Sequence, residues 1–163
     1  MRVRRDIQTA VGFLSTRVKN SGEDDCGKVK RVLKYLKGTK SLKLRLSIDN
    51  MHCTRWFVDS SRGVHWDCKG HTGAGMTMGD EATVSFSHKL KTNAGSSTGA
   101  ELIGVDDALP KILYSLEFIR AQGYNVDHAI LYQDNRSAIL LELHGKSSSG
   151  KRTKHIKMNS FKN

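Results

Sequence analysis

A chain of 163 residues fits one domain with a short appendage and can bury a core without disulfide or metal staples. Its 37% hydrophobic content and regular apolar periodicity exclude a disordered chain, and its net charge of +11 suits a polyanionic partner such as nucleic acid. Three cysteines (Cys26, Cys53 and Cys68) without a Cys-x-x-Cys pair point to a reducing compartment, and no apolar run reaches membrane-spanning length.

The first twenty residues carry several arginines against the single acid Asp6, a faint likeness to a mitochondrial presequence. The apolar stretch 10–14 is too short for a secretory signal. Ile7, Ala10, Val11, Leu14 and Val18 stand at helical spacing and predict an amphipathic helix over 6–18. An acidic turn at 21–25 caps a second helix through Val29, Val32, Leu33 and Leu36, which Gly38 stops. From Leu42 the period changes to two. Leu42, Leu44 and Leu46 alternate with Lys43 and Arg45, which predicts a half-buried strand.

Further strands are expected over 55–59, 72–78 and 82–88. A long helix follows over 96–122, with Leu102, Val105, Leu109, Ile112, Leu116 and Ile119 on one stripe and Pro110 as a kink or break. A short strand at 129–133, a helix at 135–143, a Ser/Lys-rich loop at 145–154 and a frayed last strand complete the chain. Antiparallel strands followed by alternating helix and strand give an α/β fold, a mixed sheet flanked by helices. The one clear junction lies near 38–40. It separates a helical segment, residues 1–39, from the sheet domain, residues 40–163.

Three acids occupy suggestive places. Asp59 ends the apolar strand Trp56-Phe57-Val58, Glu101 opens the long helix, and Asp134 closes the strand Ile130-Leu131-Tyr132-Gln133. Each has an ordinary structural reading. Asp59 before Ser60-Ser61 can be a turn residue. Thr98-Gly99-Ala100-Glu101 fits a capping box, and Asp134 can cap the helix at Asn135. Their arrangement adds another reading, because adjacent strands would bring these ends together. Metal-assisted phosphodiester cleavage needs converging carboxylates, which suit magnesium, and two ions roughly 4 Å apart activate water and stabilise the leaving oxygen.

The combination of motifs resembles the ribonuclease H domain of copia-type LTR retrotransposons. That family carries a Val-Asp-x-Ser/Ala strand, a Ser-Ser-Thr-x-Ala-Glu-Leu/Tyr helix start, an Asp-Asn-x-Ser-Ala strand end and an Arg-Thr-Lys-His-Ile segment. Here they read Val58-Asp59-Ser60-Ser61, Ser96-Ser97-Thr98-Gly99-Ala100-Glu101-Leu102, Asp134-Asn135-Arg136-Ser137-Ala138 and Arg152-Thr153-Lys154-His155-Ile156. Asp6-Ile7 and Tyr35-Leu36-Lys37-Gly38-Thr39 resemble the segment joining the family's reverse transcriptase to its nuclease. The resemblance implies a ribonuclease H-like domain, incomplete at its C-terminus, that hydrolyses the RNA strand of RNA–DNA hybrids. It implies Asp59, Glu101 and Asp134 as ligands for magnesium or manganese, and His155 as a histidine near the scissile phosphate. The implied partners are the hybrid and the polymerase domain of the same polyprotein, in the cytoplasm within a virus-like particle or in the nucleus, without a membrane.

The departures weigh on activity. Gly99 replaces a frequent Glu, Arg5 replaces the usual Pro before Asp6-Ile7, and Lys157 stands where many relatives have an acid. The family's fourth ligand is either that acid or one beyond Asn163, and this chain lacks it either way; the alternative is a catalytically inactive remnant that only binds nucleic acid. The polymerase's Tyr-x-Asp-Asp centre is absent. Val105-Asp106-Asp107 lies in a helical pattern and does not substitute for it.

Weaker signals are set aside. Gly145-Lys146-Ser147-Ser148-Ser149-Gly150-Lys151 nearly spells a P-loop, but Arg152 stands where Ser or Thr is needed. Lys146, Lys151, Arg152 and Lys154 are read instead as contacts to a nucleic-acid backbone. His52, Cys53, His65, Cys68 and His71 match no standard zinc spacing. Gly73-x-Gly75 suits a tight strand approach. Trp56 fits a core, whereas Trp66 fits either packing or stacking on a base.

Overall fold

The computed structural model describes residues 4–144 and 156–160, the backbone alone for 141–144 and 156–160. The expected first helix is α1 (Gln8–Ser15), with single 3-10 turns at Arg5–Ile7 and Val18–Asn20. The second is α2 (Glu23–Gly38), whose first turn holds Glu23, Asp24 and Asp25 against the positive end of the helix dipole. The buried Asp25 carboxylate accepts from the Gly22 N–H at 3.1 Å and from Arg17 Nε at 2.7 Å. It thereby ties the helix start to the end of the preceding segment.

Five strands follow the expected order: β1 (Cys53–Ser61), β2 (His71–Thr77), β3 (Ala82–Lys89), β4 (His128–Gln133) and β5 (Ile156–Ser160). They form one mixed sheet in the order β3-β2-β1-β4-β5. β1 to β3 are antiparallel neighbours, while β4 runs parallel to β1 and β5 parallel to β4. A parallel pair needs a crossover, and α3 (Ser97–Ala121) supplies it between β3 and β4. Pro110 lies inside this single helix. A last helix, α4 (Arg136–His144), follows β4. No helix among the described residues is long and apolar enough to cross a membrane.

The core fills the space between the sheet and α3. Trp56 and Val58 on β1, Ala74 and Met76 on β2, Phe86 on β3 and Leu131 on β4 pack against Val105, Ala108, Ile112 and Leu116. The buried stripe of α3 is rotated slightly from the expected one, since Ala108 is fully buried and Leu109 only partly. The stripe begins at Ala100, Glu101 and Gly104. Gly104 is there for contact: a Cβ would overlap Ser60 Oγ and come within 2.8 Å of Thr72 Oγ1. Those hydroxyls are buried and hydrogen-bonded to each other at 2.8 Å, so neither can retreat cheaply.

The strand expected at 42–46 does not form; residues 42–48 carry no regular structure, and Leu42 and Leu46 are both exposed. Alternation defines a face, but a strand also needs a backbone partner. The free edge of β3 is taken by the lead-in instead. Arg5 donates to the Thr83 carbonyl and Gln8 Nε2 to the Ser85 carbonyl, while Gly12 lies close to Ser87 O. An edge so covered cannot template another strand.

A chain of buried polar side chains holds the same lead-in. His65 stacks on Phe13 at 5.1 Å between ring centroids. Its Nε2 pairs with His71 Nδ1 at 3.1 Å, and His71 Nε2 pairs with Ser87 Oγ at 2.7 Å. Burial pushes both imidazoles below their ordinary value of 6.5. Lys89 and Arg17 reinforce this at His65, Asp67 opposes it, and His65 and His88 add to it at His71.

Two outcomes follow. Gly104→Ala should destabilise the chain by about 2–3 kcal/mol in urea unfolding, an overpacking effect; a cost near zero would mean that α3 does not press on Ser60. The histidines bind protons more readily unfolded than folded, so stability should fall as pH drops below about 6.5. The melting midpoint should therefore decline between about pH 7.5 and 5.5, and His71→Gln should flatten that decline.

Candidate metal centre

β1 and β4 run parallel with Phe57 opposite Tyr132. Carrying that register two residues further brings Asp59 beside Asp134, across the roughly 4.8 Å spacing of neighbouring strands. Glu101 comes from above, one turn before Gly104, where α3 approaches β1 most closely. One carboxylate oxygen from each of Asp59, Glu101 and Asp134 lies within 4.8 Å of the others. Among the described residues no other group of three His, Cys, Asp or Glu side chains converges in this way. The His and Cys residues from 52 to 71 are not such a group among the described residues, and His65 and His71 are hydrogen-bonded to each other.

The ordinary readings of the three acids fail on geometry. Asp59 sits within β1, paired with Gly73, and not in a turn. The N-cap of α3 is Ser96, whose Oγ accepts from the Gly99 N–H at 3.0 Å, so Glu101 is not part of a capping box. Asn135 makes the cap-type bond at α4, its Oδ1 accepting from the Ala138 N–H at 3.1 Å. All three carboxylates are thus left to face one another.

Their environments differ. Asp59 and Asp134 are exposed, whereas Glu101 is only 4% exposed. Burial pushes the Glu101 carboxyl above the usual range, and the charges of Asp59 and Asp134 push the same way. Two donors pull against this: Gln133 Nε2 at 3.1 Å and the Ser60 backbone N–H. Sequence reasoning passed over Gln133 as a strand end. The available signal was period two, which sends Gln133 to the α3 side while Asp134 faces out. Gln133 Oε1 is buried without a partner among the described residues.

A hard-oxygen cluster with one buried, braced member and two exposed members fits a divalent cation that retains some water. Access is open as well. Phe57 and Tyr132, two residues before the acids on their strands, stack on the outer face at 4.9 Å. Beside Asp59 a groove of about 340 Å³ runs between that face and the lead-in, lined in part by Arg5, Gln8, Gly73, Gly75 and Ser87. Lys146, Lys151, Arg152, Lys154 and His155 lie outside the described residues, as does the side chain of Lys157.

The chain is 30% identical over 154 residues to the retrovirus-related Pol polyprotein from transposon TNT 1-94 of Nicotiana tabacum, covering 94% of this chain and 11% of that protein. No family model matches the sequence. Two solved structures show weaker similarity. The N-terminal RNase H domain of a Mycobacterium tuberculosis protein, solved as a maltose-binding-protein fusion, gives a TM-score of 0.41 at 9% identity over 66% of this chain and 82% of that one. A foamy viral protease–reverse transcriptase in complex with dsDNA gives 0.45 at 11% identity over 94% of this chain and 33% of that one.

If the three carboxylates share a cation, Asp134→Asn should have opposite effects with and without metal. It relieves like-charge repulsion and should stabilise the metal-free chain by about 1 kcal/mol. It should also abolish the rise in melting midpoint that magnesium or manganese gives the wild type. A metal-induced rise that persists in Asp134→Asn would remove Asp134 from the ligand set.

Proposed function

We propose, on the premise that the chain belongs to the copia-type retrotransposon Pol polyproteins through their ribonuclease H-like region, that it is a metal-dependent ribonuclease H. Its reaction is endonucleolytic hydrolysis of the RNA strand of an RNA–DNA hybrid during reverse transcription. The observation that carries this reading is the meeting of Asp59, Glu101 and Asp134 from two parallel strands and the crossover helix between them. The chain spans 11% of the length of the curated relative it matches, so hybrid, polymerase partner and cellular location all belong to the proposal.

Asp59, Glu101 and Asp134 would hold magnesium or manganese. Bound there, such ions activate water and stabilise the leaving oxygen of an in-line displacement. The chain's own residues prepare the place. Gln133 and the Ser60 N–H orient the buried Glu101 carboxylate. The exposed positions of Asp59 and Asp134 allow a broad duplex to approach, which a closed cavity would not. The duplex would be gripped through phosphates and the 2′-hydroxyl, with Lys146, Lys151, Arg152 and Lys154 as cationic contacts. His155 would act near the scissile phosphate in proton transfer or product release.

The test is cleavage of a labelled RNA–DNA hybrid with magnesium, alongside Asp59→Asn and Asp134→Asn. The wild type should cut the RNA strand internally, and either substitution should reduce cleavage to background. Cleavage that survives both would defeat the site assignment. Salt-sensitive binding without any cleavage would identify the inactive remnant.

A further inference from the structure

The loop joining β1 to β2 is built to display one side chain. It closes on itself through the His65 N–H to the Lys69 carbonyl at 3.1 Å and the Cys68 N–H to the His65 carbonyl at 2.9 Å. Cys68 pays for the tight return with a left-handed φ of 60°. His65 is buried and fixed by Phe13 and His71. The next residue, Trp66, is 79% exposed. His65 thus anchors the backbone at the base of the loop, and the Trp66 ring stands open to solvent.

Cations line the cavity beside it. Lys89 Nζ lies 5.7 Å from the Trp66 ring centroid, while also pairing with Asp67 at 2.7 Å. Lys69 reaches the same carboxylate at 3.9 Å, and Arg17 is engaged by Asp25. A cavity of about 730 Å³ runs from Trp66 and Lys89 to Arg17, Lys19 and Asn20 of the lead-in. Two acids temper this charge: Asp67, shared by Lys69 and Lys89, and the buried Asp25, which holds Arg17. The loop leaves β1 directly after Ser61, two residues beyond Asp59, so the groove lies at the same end of β1 as the three carboxylates.

We infer that this groove holds an unpaired nucleotide strand leaving the hybrid, with a base stacked on Trp66 and phosphates against Lys19, Lys89 and Arg17. The inference rests on the ribonuclease H reading for its substrate. Stacking on an aromatic face needs an unstacked base, which a single strand offers and a continuous duplex withholds. Lysine and arginine at the sides would neutralise phosphates without reading sequence. A tryptophan has only two side-chain torsions to order, so stacking costs it little side-chain entropy.

Tryptophan emission reports the event without cleavage, because Trp56 is fully buried and Trp66 is the exposed fluorophore. The full chain would be titrated in EDTA with a single-stranded oligonucleotide and with a hybrid bearing a single-stranded extension. The expected result is quenching of the long-wavelength emission that weakens as salt rises. Trp66→Ala, which removes the reporting fluorophore, should lower single-strand affinity about tenfold by anisotropy of a labelled oligonucleotide, with an unchanged melting midpoint. Lys19→Gln should reduce the slope of log affinity against log salt by about one. Unchanged emission together with unchanged single-strand affinity in Trp66→Ala would overturn the inference, even for a chain that cleaves hybrids. Quenching by a chain without nuclease activity would uphold the groove and defeat the ribonuclease reading instead.

Discussion

The site depends on the parallel pairing of β1 with β4. That register places Asp59 abreast of the position of Asp134, and it exists only because α3 crosses from β3 back to the start of β4. The same helix delivers Glu101. Its approach is set by Gly104, which lets the backbone rest on Ser60 and Thr72, and Ser60 in turn offers its N–H to Glu101. Packing and site are therefore a single arrangement, since the contact that closes the core also fixes the third carboxylate.

Three carboxylates this close repel one another, and one of them is buried. A fold tolerates such an arrangement only where other forces hold the backbone, and here the neutral core from Trp56 to Leu116 does so. Burial first, and then the charges of Asp59 and Asp134, push the Glu101 carboxyl up. A divalent cation would reverse that sign, because it favours the charged form that burial and the neighbouring acids oppose.

Much of this was legible in the sequence. Period two located β1 to β3, and the ordered acids marked the ends that meet. Where reading failed, the missing information was tertiary. Leu42, Leu44 and Leu46 alternate as a strand should, yet residues 42–48 stay irregular, while the edge of β3 is covered by Arg5, Gln8 and Gly12. The caps misled by one or two residues. Ser96 and Asn135 do the work that local pattern assigned to Thr98 and Asp134, and that small displacement frees Glu101 and Asp134 for one another. Gln133 was invisible because a buried glutamine beside an acid has no motif of its own; only the contact with Glu101 shows its role.

The excess positive charge acquires a spatial meaning from the same framework. The cluster of three carboxylates is acidic and repels polyanions, so attraction for one would have to come from its margins. At one margin Arg17 and Lys19 of the lead-in and Lys89 at the end of β3 line the cavity beside Trp66, with Asp25 and Asp67 as counter-charges. The lead-in reaches that position because it is locked to β3 by Gln8, Gly12 and the buried His65–His71–Ser87 chain. A segment that also covers a sheet edge thus contributes cations beside the acids. Covering the edge accounts for its docking on β3, and Asp25 accounts for Arg17, but neither accounts for Lys19 on the cavity beside the exposed indole.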